Sequence, residues 1–207
     1  MTESTVPELD VLVHRTSGPQ PYRRLFHAAC GLAIAAAVVW LPLPRSALLA
    51  IGGGAFLIQL ASDLLRSRME AANRLFYTAF RHLASPRDAD GLASSTWYTL
   101  GVLLALAFFP QPAAVSGILI LALADPVASY LGRRYGRRPF LGGSVEGSLV
   151  FLLAALAILG LRHPPLAAVP TAILATLAER RSWPLDDNLT LAPVTAAGLT
   201  FMQLMLG

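Results

Sequence analysis

The sequence contains no lysine, so all 16 of its cationic side chains are arginines. That absence excludes any nucleotide site of the Gly-x-x-x-x-Gly-Lys type, in which a lysine ammonium reaches the phosphates. There is a single cysteine, Cys30, which rules out an intramolecular disulfide and any cysteine-built metal centre. The segment His27 to Cys30 is no lipoprotein cleavage site, because it precedes an apolar run instead of closing one, and Cys30 reads as packing. Charge is scarce too. Only 14% of residues are charged against 55% hydrophobic, and the mean hydropathy is +0.59. An ordinary soluble domain carries about a quarter charged residues, so that class and a disordered chain are both excluded.

What is present is a series of apolar runs. Leu25 to Pro44 is 20 residues without Asp, Glu or Arg, long enough for a helix to cross a hydrocarbon core of about 30 Å. Ser46 to Ser62 adds 17 uncharged residues, and 34 more lie between Gly91 and Ala124, broken by Pro110 and Pro112. Two prolines so placed cannot sit inside one straight helix, so this stretch predicts two spans and a tight turn. Ser148 to Leu161 and Pro164 to Ala178 are shorter, at 14 and 15 residues, and Asn188 to Gly207 closes the chain. The expectation is an all-α polytopic membrane helix bundle of about seven transmembrane helices. Gly52 to Gly54 lies mid-span, where small residues permit close helix packing.

Arginine placement orients the bundle. With seven spans, 14 of the 16 arginines fall on the side of the N-terminus, leaving Arg45 and Arg162 for the other. Cytoplasmic loops retain positive charge, so the N-terminus is expected to be cytoplasmic, and the basic balance reports topology rather than nucleic-acid binding. Residues 1–22 read as a flexible cytoplasmic lead and residues 23–207 as a single integral membrane domain. Between Asp63 and Asp90, apolar Leu65, Met69, Ala72, Phe76, Phe80 and Leu83 recur at helical spacing, which predicts an amphipathic helix lying on the inner surface.

Polar residues stand where membrane helices should have none. Asp125 precedes Arg133 by eight positions, about 12 Å along a helix, and an ionisable group inside a span marks either a functional site or a pair made within the bundle with a nearby arginine, of which the first is the more usual. Gly132 to Arg138 carries four arginines, and Gly142 to Gly147 then opens the fifth span with Ser144 and Glu146. Guanidinium groups beside a glycine-rich turn and a helix N-terminus suit phosphate, although the same residues also serve as a topology signal, a turn and a cap. Asp186, Asp187, Asn188 and Thr190 open the last span on the same membrane face as Asp125 and Glu146. Adjacent carboxylates of this kind suit Mg²⁺ held together with substrate phosphates. Arg24 and His27 complete the set as accessory candidates.

These residues resemble the polyprenol, dolichol and phytol kinase family of integral membrane proteins, which includes CTP-dependent diacylglycerol kinases. The likeness runs from Arg23 to Pro193. It is carried by Arg-x-x-x-His at Arg23, Ser-Thr-Trp-Tyr-x-Leu-Gly at Ser95, Ala-Asp-Pro-Val-Ala at Ala124, the Gly132 to Arg138 run, Gly-Ser-x-Glu-Gly at Gly143 and Asp-Asp-Asn-Leu-Thr at Asp186.

The resemblance implies phosphoryl transfer from a nucleoside triphosphate, CTP in the best-known members, to the hydroxyl of a long-chain or isoprenoid lipid alcohol at the cytoplasmic face. It implies Asp125, Glu146 and Asp187 as catalytic and metal-holding carboxylates, with Mg²⁺ or another divalent cation. Arg137, Arg138, Ser144, Gly147, Asn188 and Thr190 would hold nucleotide phosphates. The sequence departs from the family at Gly143, where a lysine is usual, so Arg137 or Arg138 is expected to supply the missing cation. Two rivals stay open: a phospholipid cytidylyltransferase, and a small transporter or non-catalytic membrane protein using Asp125.

Overall fold

Prolines mark where the helices start, because a residue with fixed φ and no N–H costs nothing in a first turn. In the computed structural model, which describes residues 9–18, 20–89, 91–180 and 186–206, α1 (Leu9–Arg15) is followed by α2 (Pro21–Trp40), opened by Pro21. Next come α3 (Arg45–Arg68), α4 (Glu70–Ala79), a 3₁₀ turn (Pro86–Ala89) and α5 (Ser94–Phe108). Pro110 ends the α5 turn and Pro112 sits in the first turn of α6 (Gln111–Leu119). A π turn (Ile120–Ala124) joins α6 to α7 (Asp125–Tyr135) without a break in the rod. A two-stranded hairpin, β1 (Pro139–Phe140) and β2 (Gly143–Ser144), leads into α8 (Val145–Gly160), α9 (Pro165–Arg180) and α10 (Asp187–Leu206).

Seven of these helices occupy the seven apolar runs. Four rods, Pro21–Trp40, Arg45–Arg68, Gln111–Tyr135 and Asp187–Leu206, are long and apolar enough to cross a membrane by length and composition. The others are shorter; α5 is largely enclosed by its neighbours, and α8 buries one face, with Phe151, Ala155 and Leu159, and leaves the other exposed. The architecture is an all-α polytopic bundle.

The core is built from small residues. α10 packs on α5, α6 and α9, with Ala113, Ala114, Ala172, Ala175, Ala192 and Ala196 fully enclosed and Phe151, Leu159 and Leu199 filling the gaps. In lipid there is no hydrophobic drive between apolar helices, so close backbone approach and dispersion must hold them together. Large apolar side chains instead point outward, among them Leu25, Trp40, Ile51, Ile58, Leu153 and Leu204. Of Gly52 to Gly54, only Gly52 faces a neighbour, Leu103, while the other two have open space around them.

At the end of the bundle away from Asp125, Arg45 donates to the carbonyls of Leu106 (2.6 Å) and Phe109 (3.1 Å), capping α5, and Arg162 donates to Ser116 Oγ. Of the two arginines that the charge count set apart, Arg45 thus binds the end of α5 and Arg162 a buried hydroxyl within α6. Of the arginines counted on the other side, Arg181 lies outside the described residues.

Two expectations are corrected. The single amphipathic helix from Asp63 to Asp90 is instead the end of α3, an extended residue at Met69, the ten-residue α4 and the 3₁₀ turn. The period reads continuously across Met69, but α4 folds back over Arg66 and buries it, 4% exposed. The lead is also not uniformly polar coil. Leu9–Arg15 is helical, and its Leu12 packs with Tyr77 and Ala84 under α4. Residues 1–8 lie outside the described residues.

Candidate functional site

Asp125 owes its position to the proline after it. Pro126 has no N–H to donate and its ring crowds the carbonyl four residues back, so a regular helix cannot run through it. The chain answers with the π turn, in which the Asp125 N–H donates to the carbonyl of Ile120. Single π turns of this kind are frequent at functional sites. The bulge sets Asp125 in the wall of a polar cavity of about 990 Å³.

The next wall is the hairpin. Glycines at 132 and 147 let α7 and α8 meet: a Cβ on Gly132 would stand 3.0 Å from the Gly147 Cα. Ser144 caps α8 by accepting from the Gly147 N–H at 3.1 Å. The turn at Leu141 and Gly142 has positive φ at both residues, 43° and 80°, the backbone demanded by a two-residue hairpin connection. Ser144, Gly147, Arg133, Arg137 and Arg138 all line the cavity. Arg134 does not; it lies among the exposed rings of Tyr130 and Tyr135.

The third wall comes from the end of α9 and the start of α10, which bring Glu179, Arg180, Asp186 and Asp187 to the same space. Asp186 and Asp187 both accept from the Asn188 backbone N–H, at 3.0 and 2.9 Å, and Asn188 Nδ2 donates to Asp186 at 2.7 Å. Thr190 turns back to the Asp187 carbonyl and is not in the lining. Arg180 pairs with Glu179 and lies over Gly143, where a Cβ would fall 2.7 Å from its guanidinium carbon. The expected replacement for a lysine at 143 was Arg137 or Arg138. The cation that fills the space beside Gly143 is Arg180.

A smaller recess of about 80 Å³ adjoins this cavity, lined by Arg23, Arg24, His27, Ser94, Asp125, Asp187 and Asn188 among others. Arg24 donates to Ser129 Oγ at 3.2 Å, while its Nη1 is buried without a partner. A shielded guanidinium nitrogen with an unused hydrogen bond is a vacancy for an anion. Arg23 is fixed by Gln20 Oε1 (3.0 Å) and Ser94 Oγ (2.6 Å).

Ser94 in turn belongs to a buried network that sequence reasoning missed. Asp88 accepts from the backbone N–H and hydroxyl of Ser94, both at 3.1 Å, and from the Ser85 N–H at 2.7 Å. Asp63 accepts from the Ala93 N–H (2.8 Å) and Thr96 Oγ1 (2.7 Å) and pairs with Arg66 at 2.8 Å. Arg66 also donates to Asn73 and to the Asp88 carbonyl, each at 2.9 Å, and stacks on Phe76. This knot anchors the N-terminus of α5 beside the recess.

The expected site residues are therefore divided. Asp125, Asp187, Arg137, Arg138, Ser144 and Gly147 share the large cavity, and Arg24, His27 and Asn188 join Asp125 and Asp187 in the recess. Glu146 stands apart: its carboxylate accepts the backbone N–H groups of Arg137 (3.0 Å) and Arg138 (3.3 Å) and holds the arginine loop from outside the lining. Arg87, Trp97, Glu179 and Arg180 line the cavity but were not expected there. Glu179 and Arg180 carried only a charge at the end of an apolar run and Arg87 only a charge between runs, whereas Trp97 stood in the Ser-Thr-Trp-Tyr motif without a role.

Fold and site together describe a polytopic helical protein with an arginine-rich, carboxylate-bearing cavity at one end. No family model matches the chain, and no solved structure matches it significantly. Among curated proteins it is similar to CTP-dependent diacylglycerol kinase 1 of Schizosaccharomyces pombe, 26% identical over 168 residues, 71% of this chain and 77% of that protein. The protein of the same name from Eremothecium gossypii is 27% identical over 145 residues, 67% of this chain and 45% of that protein. For that of Saccharomyces cerevisiae the figures are 26% over 103 residues, 46% and 36%. The chain thus spans most of the first relative and less than half of the other two. The similarity agrees with the CTP-dependent lipid kinase family.

Proposed function

We propose that the protein is a membrane lipid kinase that moves the terminal phosphoryl group of CTP to the hydroxyl of a lipid alcohol, with diacylglycerol, polyprenol and phytol as the candidate class. The observation that carries this is the cavity itself, where Asp125 and Asp187 share a lining with Arg133, Arg137, Arg138 and Arg180 at the polar end of an apolar bundle. The curated relatives are CTP-dependent diacylglycerol kinases by name, which favours CTP over other donors.

Phosphoryl transfer asks little covalent chemistry of a protein; it asks for positioning and for neutralisation of spread negative charge. The arginines and the cap of α8 take the phosphates, and Arg24, whose Nη1 has no partner, lines the recess from which the acceptor hydroxyl enters. The hydroxyl oxygen bonds to the terminal phosphorus, the bond from that phosphorus to its bridging oxygen breaks, CDP leaves, and the proton passes to the Asp125–Asp187 pair. Asp125 and Asp187, carboxylates from two walls of the cavity, would suit a Mg²⁺ that shares its coordination with substrate phosphates. A larger cage is not needed, and no group of three or more His, Cys, Asp or Glu ligands occurs among the described residues. Bound there, the ion would neutralise phosphate charge.

In a cell the cavity opens to the cytoplasm and the N-terminus is cytoplasmic, a reading supported by the 14-to-2 arginine split. The deciding experiment gives purified protein labelled CTP and a panel of lipid alcohols and separates the products. Phosphorylated lipid with CDP is the expected result. With a phosphatidate added to the panel, pyrophosphate and a CDP-lipid would make the protein a phospholipid cytidylyltransferase, and absence of nucleotide binding would leave a transporter or non-catalytic membrane protein.

A further inference from the structure

A second cavity of about 350 Å³ lies between α2, α3 and α5, in the size range of ligand pockets. α3 packs on α5, and α2 packs on α6 and the π turn. The space left between α2 and α3 is a slot lined along α2 from Phe26 to Val38 and along α5 from Ser95 to Leu106. At 1.5 Å per residue each wall runs for roughly 16 to 18 Å, more than half of a hydrocarbon core.

The slot is polar at one end only. Ser95, Tyr98 and Thr99 occupy the first turns of α5, and His27 the second turn of α2, its ring 5.3 Å from that of Tyr98. Gln59 joins them from α3, one turn before Asp63, whose carboxylate accepts from Thr96. Beyond these five the lining is apolar: Ile34, Val38, Leu48, Ile51, Val102 and Leu103. The polar end meets the reaction centre, because His27 lines both the slot and the recess that holds Asp125, Asp187 and Arg24. One more observation asks for a ligand. Gln59 Oε1 is buried and makes no hydrogen bond, and because an amide's oxygen and nitrogen exchange places when the group turns over, the Nε2 donor can be presented there instead.

We infer that this slot holds the acceptor lipid, a glycerolipid alcohol with one hydrocarbon chain between α2, α3 and α5 and its hydroxyl at His27, and that Gln59 donates through Nε2 to the ester oxygens next to that hydroxyl. The inference rests on the kinase reading for the reaction but not for the binding. An isoprenoid alcohol has a single oxygen and nothing for Gln59 to bond beyond it, whereas a diacylglycerol places ester oxygens within a few bonds of its hydroxyl. Leaving a buried amide unpaired costs affinity, so the slot discriminates by the bond it can complete.

The test uses the full-length protein in detergent with CTP and either a diacylglycerol or a polyprenol. Ala55→Phe and Ala37→Phe fill the slot from two walls. Each should raise the KM for diacylglycerol by about tenfold or more while the KM for CTP stays within about twofold. Gln59→Leu should raise the diacylglycerol KM and leave the polyprenol KM unchanged. Photolabelling without nucleotide, using a diacylglycerol that bears a diazirine in one acyl chain, should mark α2, α3 or α5 and be lost in Ala55→Phe. Normal diacylglycerol KM values in folded filling variants, or labels confined to other helices, would overturn the slot. A polyprenol preference, or a silent Gln59→Leu, would overturn the glycerolipid assignment. Labelling of the slot without formation of any phosphorylated lipid would sink the kinase reading and leave the lipid site standing.

Discussion

Two clusters of charge sit side by side at the same end of the bundle, and they differ in completeness. Around Arg66, the carboxylates of Asp63 and Asp88 accept from backbone N–H groups, hydroxyls and a guanidinium, and all three side chains are almost fully buried. Around Asp125, the arginines crowd an open cavity, and Arg24 keeps a buried nitrogen with no partner. Residue types are the same in both. A charge cluster whose bonds are all made inside the chain holds structure, whereas one with bonds left over is prepared for something that arrives from outside.

The contrast breaks most sharply in activity. Asp125→Asn and Asp187→Asn should each lower kcat by about a thousandfold, the scale of a lost transition-state contact, with thermal stability in detergent unchanged. Phosphorylation of diacylglycerol measured beside melting curves would check both halves, and an active Asp125→Asn protein would remove that carboxylate from the chemistry. The opposite pattern belongs to Arg66→Met. Breaking a buried, hydrogen-bonded pair costs about 3 to 5 kcal/mol in stability, so this variant should melt early or fail to accumulate. Any that remains folded should bind CTP as before.

Arg24→Gln sharpens the comparison at a single atom. It removes the cation with the spare hydrogen bond, and the KM for CTP or for the acceptor should rise by about tenfold with little loss of stability. Arg180 tests the place of the unusual glycine. Gly143→Lys alone should displace Arg180 and lower activity severalfold, whereas Gly143→Lys combined with Arg180→Ala should lose less than the sum of the two single changes. That non-additivity is the signature of two side chains competing for one space.

The smallest effect is expected at the far end of the bundle. His163, in the connection after α8, is bonded to Ser116 at 2.8 Å and lies near Gln203. Burial, and then the neighbouring Arg162 cation, push its pKa below the ordinary 6.5. A group that protonates less readily when folded contributes stability above its unfolded pKa and loses it as pH falls below that value. The melting temperature should therefore drop by a few degrees between pH 7.5 and 5.5, and His163→Gln should flatten that part of the curve.

The seven helices were legible because membrane burial writes itself into runs of uncharged residues, and Pro110 and Pro112 mark a joint within the longest of them. Asp125 was legible for the same reason, since a carboxylate in an apolar run has no neutral explanation from packing alone. Asp187 and Asn188 stood out as polar groups in excess of what a cap requires, whereas the Gly132 to Gly147 segment read equally well as a phosphate cradle and as a topology signal, a turn and a cap.

Composition and local pattern, which depend only on neighbours along the chain, determined the bundle, the two ends of its charge distribution and the polar residues of its arginine-rich end as a set. Partners distant in sequence decided the rest. The Asp63–Arg66–Asp88 knot looked like the solvated face of a helix until α4 folded over it, and the cation beside Gly143 came from the end of α9 rather than from the nearby arginines. The slot between α2, α3 and α5 has no sequence signature, because a gap between helices is made by what packs elsewhere. A periodic pattern records which face of a helix avoids water, and only the assembled fold decides what that face meets.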